Sequence, residues 1–260
     1  MRPLEALDAT EARGLTGVLF DLDDTLLDAG RLTEPAYSAL FRLAEAGLRL
    51  VAVTGRPAGW GALLVRQWPI DGAVTENGAV GLFRNGGAVG RLDRVEEGER
   101  RARRRRIAAL VAEIRERFPI LTPADDVDAR LSDFTFDIGE HVRVPEELVR
   151  EATAFIDEQR FTSTRSSVHL HVSLDADDKA SGTLRLLGHL FDADPTAALR
   201  RWAFIGDSQN DEACFNAFRT TIAVSNLTGR FTVAPRYVTR AARGAGFAEL
   251  AGALTRLRSR

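Results

Sequence analysis

The sequence predicts an α/β protein with a three-layer, doubly wound parallel-sheet core and an inserted α+β module. Three observations carry this. Short apolar runs alternate with segments of helical period at both ends of the chain, and several of those runs end in polar or acidic residues. The stretch between the two ends reads differently, as strictly alternating strands separated by helices.

Val18 to Phe20 is a buried strand that ends in Asp21, Asp23 and Asp24. A helix over 35–46 follows, capped at Thr33, with Leu40 and Leu43 on its inner face. Residues 48–53 form the next strand and close on Thr54-Gly55-Arg56; Pro57 opens a helix, and 72–75 is a third short strand. The alternation resumes after the middle of the chain, with a helix over 179–191, a strand over 202–205, a helix over 211–218 and a strand over 221–224. This is the pattern of a Rossmann-like core, in which ligands bind at the carboxyl ends of the strands. Asp21, Thr54 and Asp207 each stand at such an end. The core is accordingly assigned to residues 1–82 and 176–260, and the inserted module to 83–175.

Within the module, Phe83-Arg84-Asn85-Gly86-Gly87 reads as a hairpin turn, 131–138 and 168–174 as half-buried strands, and 100–118 and 145–159 as helices. On the later strand Ser167, His169, His171 and Ser173 share one face, and Val168, Leu170 and Val172 the other. The polar face is open to solvent or looks into the site. The run from Arg100 to Arg106 has Glu96, Glu97 and Glu99 four positions ahead of Arg100, Arg101 and Arg103, and it continues into an apolar stripe. It therefore reads as an ion-paired helix in preference to a polyanion site.

Composition narrows the function classes. A formal charge of −2 argues against a general nucleic-acid binder. No apolar run approaches the roughly 18 residues of a membrane span, and residues 1 to 16 carry acids without the apolar centre of a secretory signal. Cys214 is alone, so no intramolecular disulfide forms, and the expected compartment is the cytoplasm. Oligomeric state is not legible. Of the 35 basic residues only Lys179 is a lysine, which marks it as a place where a compact ammonium is required and a planar guanidinium is not equivalent.

Three carboxylates within four positions repel one another unless a cation or strong donors sit among them. Asp21-x-Asp23-x-Thr25, Thr54-Gly55-Arg56, Lys179 and Gly206-Asp207-Ser208-Gln209-Asn210-Asp211 resemble, in order and spacing, the four signature motifs of the haloacid dehalogenase-like superfamily of phosphatases. The long insertion, preceded by Thr75-Glu76-Asn77-Gly78-Ala79, resembles the cap of the Cof-like branch, many of whose members act on sugar phosphates. The match departs at Asp24, where many relatives have Gly, and at Ala180, where Gly often follows the lysine.

The resemblance implies a phosphomonoester hydrolase that takes a small-molecule substrate. Asp21 is then the nucleophile, forming an aspartyl-phosphate, and Asp23 the acid and base. Mg2+ is held by the Asp21 carboxylate, the Asp23 backbone carbonyl and Asp207, with Asp211 in support. Thr54, Gly55 and Asn210 grip the phosphoryl group, and Lys179 neutralises charge. Arg56, Asn77, His169 and His171 are the candidates for contact with the rest of the substrate. On their own, Thr54 and Asp211 also suit helix caps, and Glu76 and Asn77 suit a turn. Two other functions fit the same motifs less well: a phosphosugar mutase sharing the aspartyl-phosphate, and a non-catalytic protein whose arginine run docks an anionic partner.

Overall fold

The computed structural model describes residues 1–166, 168–174, 177–229 and 231–259. Ser167 and the expected module boundary at 175–176 lie outside them. In chain order the elements are β1 (Arg2–Pro3), α1 (Ala9–Gly14), β2 (Gly17–Phe20), α2 (Glu34–Glu45), β3 (Arg49–Val53), α3 (Ala58–Gln67), β4 (Gly72–Thr75), β5 (Val80–Asn85) and β6 (Ala88–Asp93). Then come α4 (Glu97–Arg117), β7 (Thr122–Pro123), β8 (Phe134–Asp137), α5 (Glu146–Glu158), β9 (Thr162–Arg165) and β10 (His169–Ser173). The chain continues through α6 (Lys179–Phe191), α7 (Pro195–Arg201), β11 (Trp202–Gly206), α8 (Glu212–Ala217), β12 (Thr220–Ala223), β13 (Tyr237–Val238) and α9 (Arg243–Arg258).

Among the described residues one sheet has the order β1-β13-β12-β11-β2-β3-β4-β5-β6, parallel as far as β4 and antiparallel beyond it. β2, β4 and β11 are buried at every position, as strands covered on both faces must be. One face packs Leu40, Leu43 and Leu254 from α2 and α9, and the other packs Leu186 and Leu187 of α6 with Phe215 of α8. β2 lies between β11 and β3, so the strand order reverses there, and the ends of β2, β3 and β11 meet at one switch point. Arg258 of α9 donates to the carbonyls of Ala12, Leu15 and Ala46, tying α1 and α2 to the last helix.

The inserted module carries a second, antiparallel sheet in the order β7-β8-β10-β9. Its apolar face, with Phe136, Leu170 and Val172, packs on Leu110 and Ile114 of α4 and on Val149 and Ile156 of α5. The opposite face pairs His169 with Asp137 and His171 with Thr135. The expected hairpin at 83–87 forms, but β5 and β6 hydrogen-bond onto β4, so residues 83–93 extend the core sheet instead of opening the module. A turn signal shows that two strands pair and not which sheet they join. No helix among the described residues is long and apolar enough to cross a membrane.

The arginine run lies in α4, and much of it is committed. Arg100 is buried against Asp93 and Ser132, Arg103 pairs with Glu99, and Arg104 donates to the Arg130 carbonyl. α6 begins at Lys179 because Asp178 caps it, accepting from the Ser181 amide at 2.7 Å while Ser181 Oγ accepts from the Asp178 amide. Its first turn presses on the segment after β4: a Cβ on Gly182 would stand 2.3 Å from the Gly78 carbonyl oxygen. Gly182→Ala should therefore cost about 1–3 kcal/mol through overpacking and lower the melting temperature followed by circular dichroism. An unchanged melting curve would show that α6 has room to shift.

Candidate active site

β2, β3 and β11 deliver the central residues, and the start of α6 delivers Lys179. The Lys179 ammonium is fully buried and donates at 2.7 Å to Asp21 Oδ1 and at 2.7 Å to Asp211 Oδ1. Burial opposes its charge, but the two carboxylates outweigh that and hold its pKa above the ordinary value. Asp211 Oδ2 accepts the amides of Asp207 and Ser208, so both of its oxygens are occupied and it braces the turn after β11. Asp207 Oδ1 accepts from Thr25 Oγ1 at 3.0 Å. Asp21, Asp207 and Asp211 each place a carboxylate oxygen within 4.8 Å of the others.

These three buried acids share one buried cation. Burial, opposed by Lys179 but aided by Asp211 and Asp23, pushes Asp21 up to about 7. Burial, with Asp21 and Asp211 close by, pushes Asp207 up to about 9. The cluster is thus short of positive charge, and its free donors are hard carboxylate oxygens, the chemistry that suits Mg2+. Asp21, Asp207 and Asp211 fit a divalent cation on those grounds, Asp211 as the brace.

Thr54 Oγ1 accepts the Arg56 amide at 3.0 Å, which leaves its own proton to donate. Asn210 Oδ1 accepts from Ser208 Oγ. Asn77 sits at φ 53° with a buried Oδ1 that has no partner among the described residues, and that oxygen would lie 3.1 Å from a Cβ on Gly55. A small cavity of about 20 Å³ brings Asp21, Asp23, Gly55 and Asn210 from the core against His169 and His171 from the module. That is room for about one water.

Two expected substrate contacts are engaged elsewhere. Arg56 grips Asp23 with Nε and Nη2 at 2.8 and 2.9 Å, reaches Glu140 Oε1 at 3.3 Å, and stacks on Trp60. His169 Nε2 lies 2.7 Å from Glu140 Oε2; hydrogen bonding from His169, and then the charge of Arg56, pull Glu140 down to about 2. Sequence reasoning gave no role to Thr25, Ser208, Arg130, Asp133 or Glu140. Thr25 and Ser208 stand inside quoted motifs, whereas the other three are module residues with no local pattern. At the departure, Asp24, the backbone is left-handed at φ 55°, a conformation that favours glycine, and Arg243 Nε pairs with the Asp24 carboxylate at 3.0 Å.

Residues 18–87 match the family model of the haloacid dehalogenase-like hydrolases. The match covers 70 of the 260 residues, and over that stretch the chain is similar to the haloacid dehalogenase-like hydrolases. Protein 0175 of Thermoplasma acidophilum is similar in structure to this chain, with a TM-score of 0.74 and 17% identity over 92% of this chain and 98% of that one. A Plasmodium vivax protein described as HAD/Cof-like has a TM-score of 0.71 and 16% identity over 96% and 100% of the two chains. The sucrose-phosphatase of Synechocystis, solved with sucrose and phosphate, has a TM-score of 0.66 and 16% identity over 92% and 98%. No curated protein matches the sequence significantly.

The charge deficit makes a test of the metal that needs no turnover. Asp21 and Asp207 have folded pKa values above their ordinary 3.8, so the folded state holds extra protons and its stability falls as pH rises from about 4 through about 9. A bound divalent cation takes the place of those protons. Magnesium should therefore raise the melting temperature more at about pH 8 than at about pH 5. An equal shift at both, read by differential scanning fluorimetry after chelation and refilling, would remove this cluster as the metal site.

Proposed function

We propose that the protein is a magnesium-dependent phosphomonoester hydrolase that works through an aspartyl-phosphate on Asp21, acting on a small sugar phosphate or similar metabolite. The observation that carries the reading is the clamp of Lys179 between Asp21 and Asp211, beside Asp207. It orients one oxygen of Asp21 and leaves Oδ2 without a hydrogen bond among the described residues. The fold shared with sucrose-phosphatase is consistent with a sugar phosphate. The setting we propose is the cytoplasm, with no nucleic-acid or membrane partner.

Asp21, the Asp23 backbone carbonyl and Asp207 would hold Mg2+, which when bound neutralises the phosphoryl oxygens and so lets a carboxylate approach. Asp21 attacks phosphorus, the ester P–O bond breaks, and Asp23 gives its proton to the leaving oxygen. Asp23 then takes a proton from water as that water attacks the aspartyl-phosphate; free phosphate leaves and the Asp21 carboxylate is restored. Thr54, Gly55 and Asn210 position the phosphoryl group, and Lys179 offsets the charge shared by Asp21 and phosphate.

Asp21→Asn should abolish hydrolysis of p-nitrophenyl phosphate with the fold intact, because an amide is a poor nucleophile. More than a tenth of parent activity in that variant would refute the covalent route. Inorganic phosphate released from a sugar phosphate separates hydrolysis from isomerisation by a mutase, which releases none. Lys179→Arg spreads the same charge over a larger plane that does not fit between two carboxylates, so kcat/KM should fall on the order of a hundredfold. Near-parent rates would show that charge alone suffices at that position.

A further inference from the structure

Two histidines on one strand face look equivalent in sequence, and their surroundings divide them. β10 turns both toward the core, with Leu170 and Val172 under the helices behind. His169 spends Nε2 on Glu140, which in turn reaches Arg56. It is a brace between module and core. His171 is held from the other side of its ring: Nδ1 lies 2.8 Å from Asp133 Oδ2 and 3.3 Å from Thr135 Oγ1. Both side chains of the His171–Asp133 pair are 3% exposed.

Asp133 is itself fixed. Arg130 Nη1 stands 3.0 Å from each of its oxygens and 3.0 Å from the Gly55 carbonyl oxygen, so the chain Arg130–Asp133–His171 is anchored on the core loop that follows β3. A carboxylate only accepts, so the proton of the pair sits on His171 Nδ1. Arg130 already compensates the Asp133 charge, and burial, with Arg130 and His169 nearby, holds the His171 pKa below its ordinary value despite Asp133. The ring is therefore neutral near pH 7 and Nε2 keeps a lone pair. Cε1, next to Nε2, would be 3.4 Å from a Cβ on Gly55, and the ring lines the cavity with Asp21 and Asp23.

We propose that His171 is a specificity residue that accepts, at Nε2, a hydrogen bond from a hydroxyl of the leaving group beside the phosphoryl centre, with Asp133 and Arg130 as its positioning residues. The substrate class is then a phosphoester of a polyol or sugar, and an acceptor such as a carboxylate or second phosphate in that place is refused. This rests on the hydrolase reading above.

Glycerol 1-phosphate and propyl phosphate differ only in the hydroxyls, so the ratio of their kcat/KM values reads the contact. His171→Asn keeps an amide near Nδ1 for Asp133 and deletes the outer acceptor, whereas His171→Gln returns one farther out. The ratio should fall about tenfold in the Asn variant, the worth of one hydrogen bond, and recover in the Gln variant. p-Nitrophenyl phosphate has no such hydroxyl, so its kcat/KM should fall much less than that of glycerol 1-phosphate, and circular dichroism should show both variants folded. Nitrogen-15 imidazole spectra at about pH 7 should show His171 as the neutral Nδ1–H tautomer. An unchanged ratio, equal losses on every ester, or an Nε2–H tautomer would each overturn the proposal. A parent protein inactive on every phosphoester would sink the hydrolase reading and the substrate role with it, and the tautomer spectrum would still decide the state of the ring.

Discussion

The Lys179 ammonium, buried and shared between Asp21 and Asp211, is the contact on which the arrangement of the core depends. It joins the end of β2, the start of α6 and the turn after β11. Taking one charge out of water is costly, and two carboxylates at hydrogen-bond distance offset that cost only if the surrounding backbone holds them there. The holding is visible in Asp211, whose second oxygen is taken by two amides of its own turn. Packing also enforces it, since a Cβ on Gly206 would fall 2.3 Å from Asp211 Oδ2.

A second chain of charges runs from core to cap. Asp23, Arg56, Glu140 and His169 follow one another at hydrogen-bond distances, and Glu76 adds a separate bond, its carboxylate accepting amides of Leu131 and Ser132 from the cap and of Ala58 from the core. The module thus meets the core through these polar contacts together with the packing of Leu131 on the core. Contacts of that kind are strong when complete and costly when a buried partner is left unpaired.

The central strands and the residues at their ends were legible because a buried parallel strand has one signature, an apolar run, and polar residues at its end stand out. α6 could be placed from Lys179 to Phe191 because its cap lies in the sequence itself. Long-range partnership was not legible. Nothing local tells that β5 and β6 join the core sheet, that Glu140 and not substrate occupies His169, or that Arg130 reaches back to Gly55. β1 and β13 are two residues each and fall below any periodic signal. α9 buries Gly244, Gly246, Ala251 and Ala253 along with Phe247, Leu250 and Leu254, so small residues blur its apolar stripe.

The nesting of one sheet inside the sequence of another sets an order of assembly. Every strand of the cap sheet lies between Thr122 and Ser173, so that sheet can close as soon as this stretch has left the ribosome. β2 must instead wait for β11, and the lysine clamp joins residues 158 positions apart. Domains fold during synthesis as their parts become available. The inner unit can therefore be finished while the outer one still exposes the apolar faces of β2, β3 and β4, and that half-made sheet is the stage at which the growing chain most needs protection from aggregation.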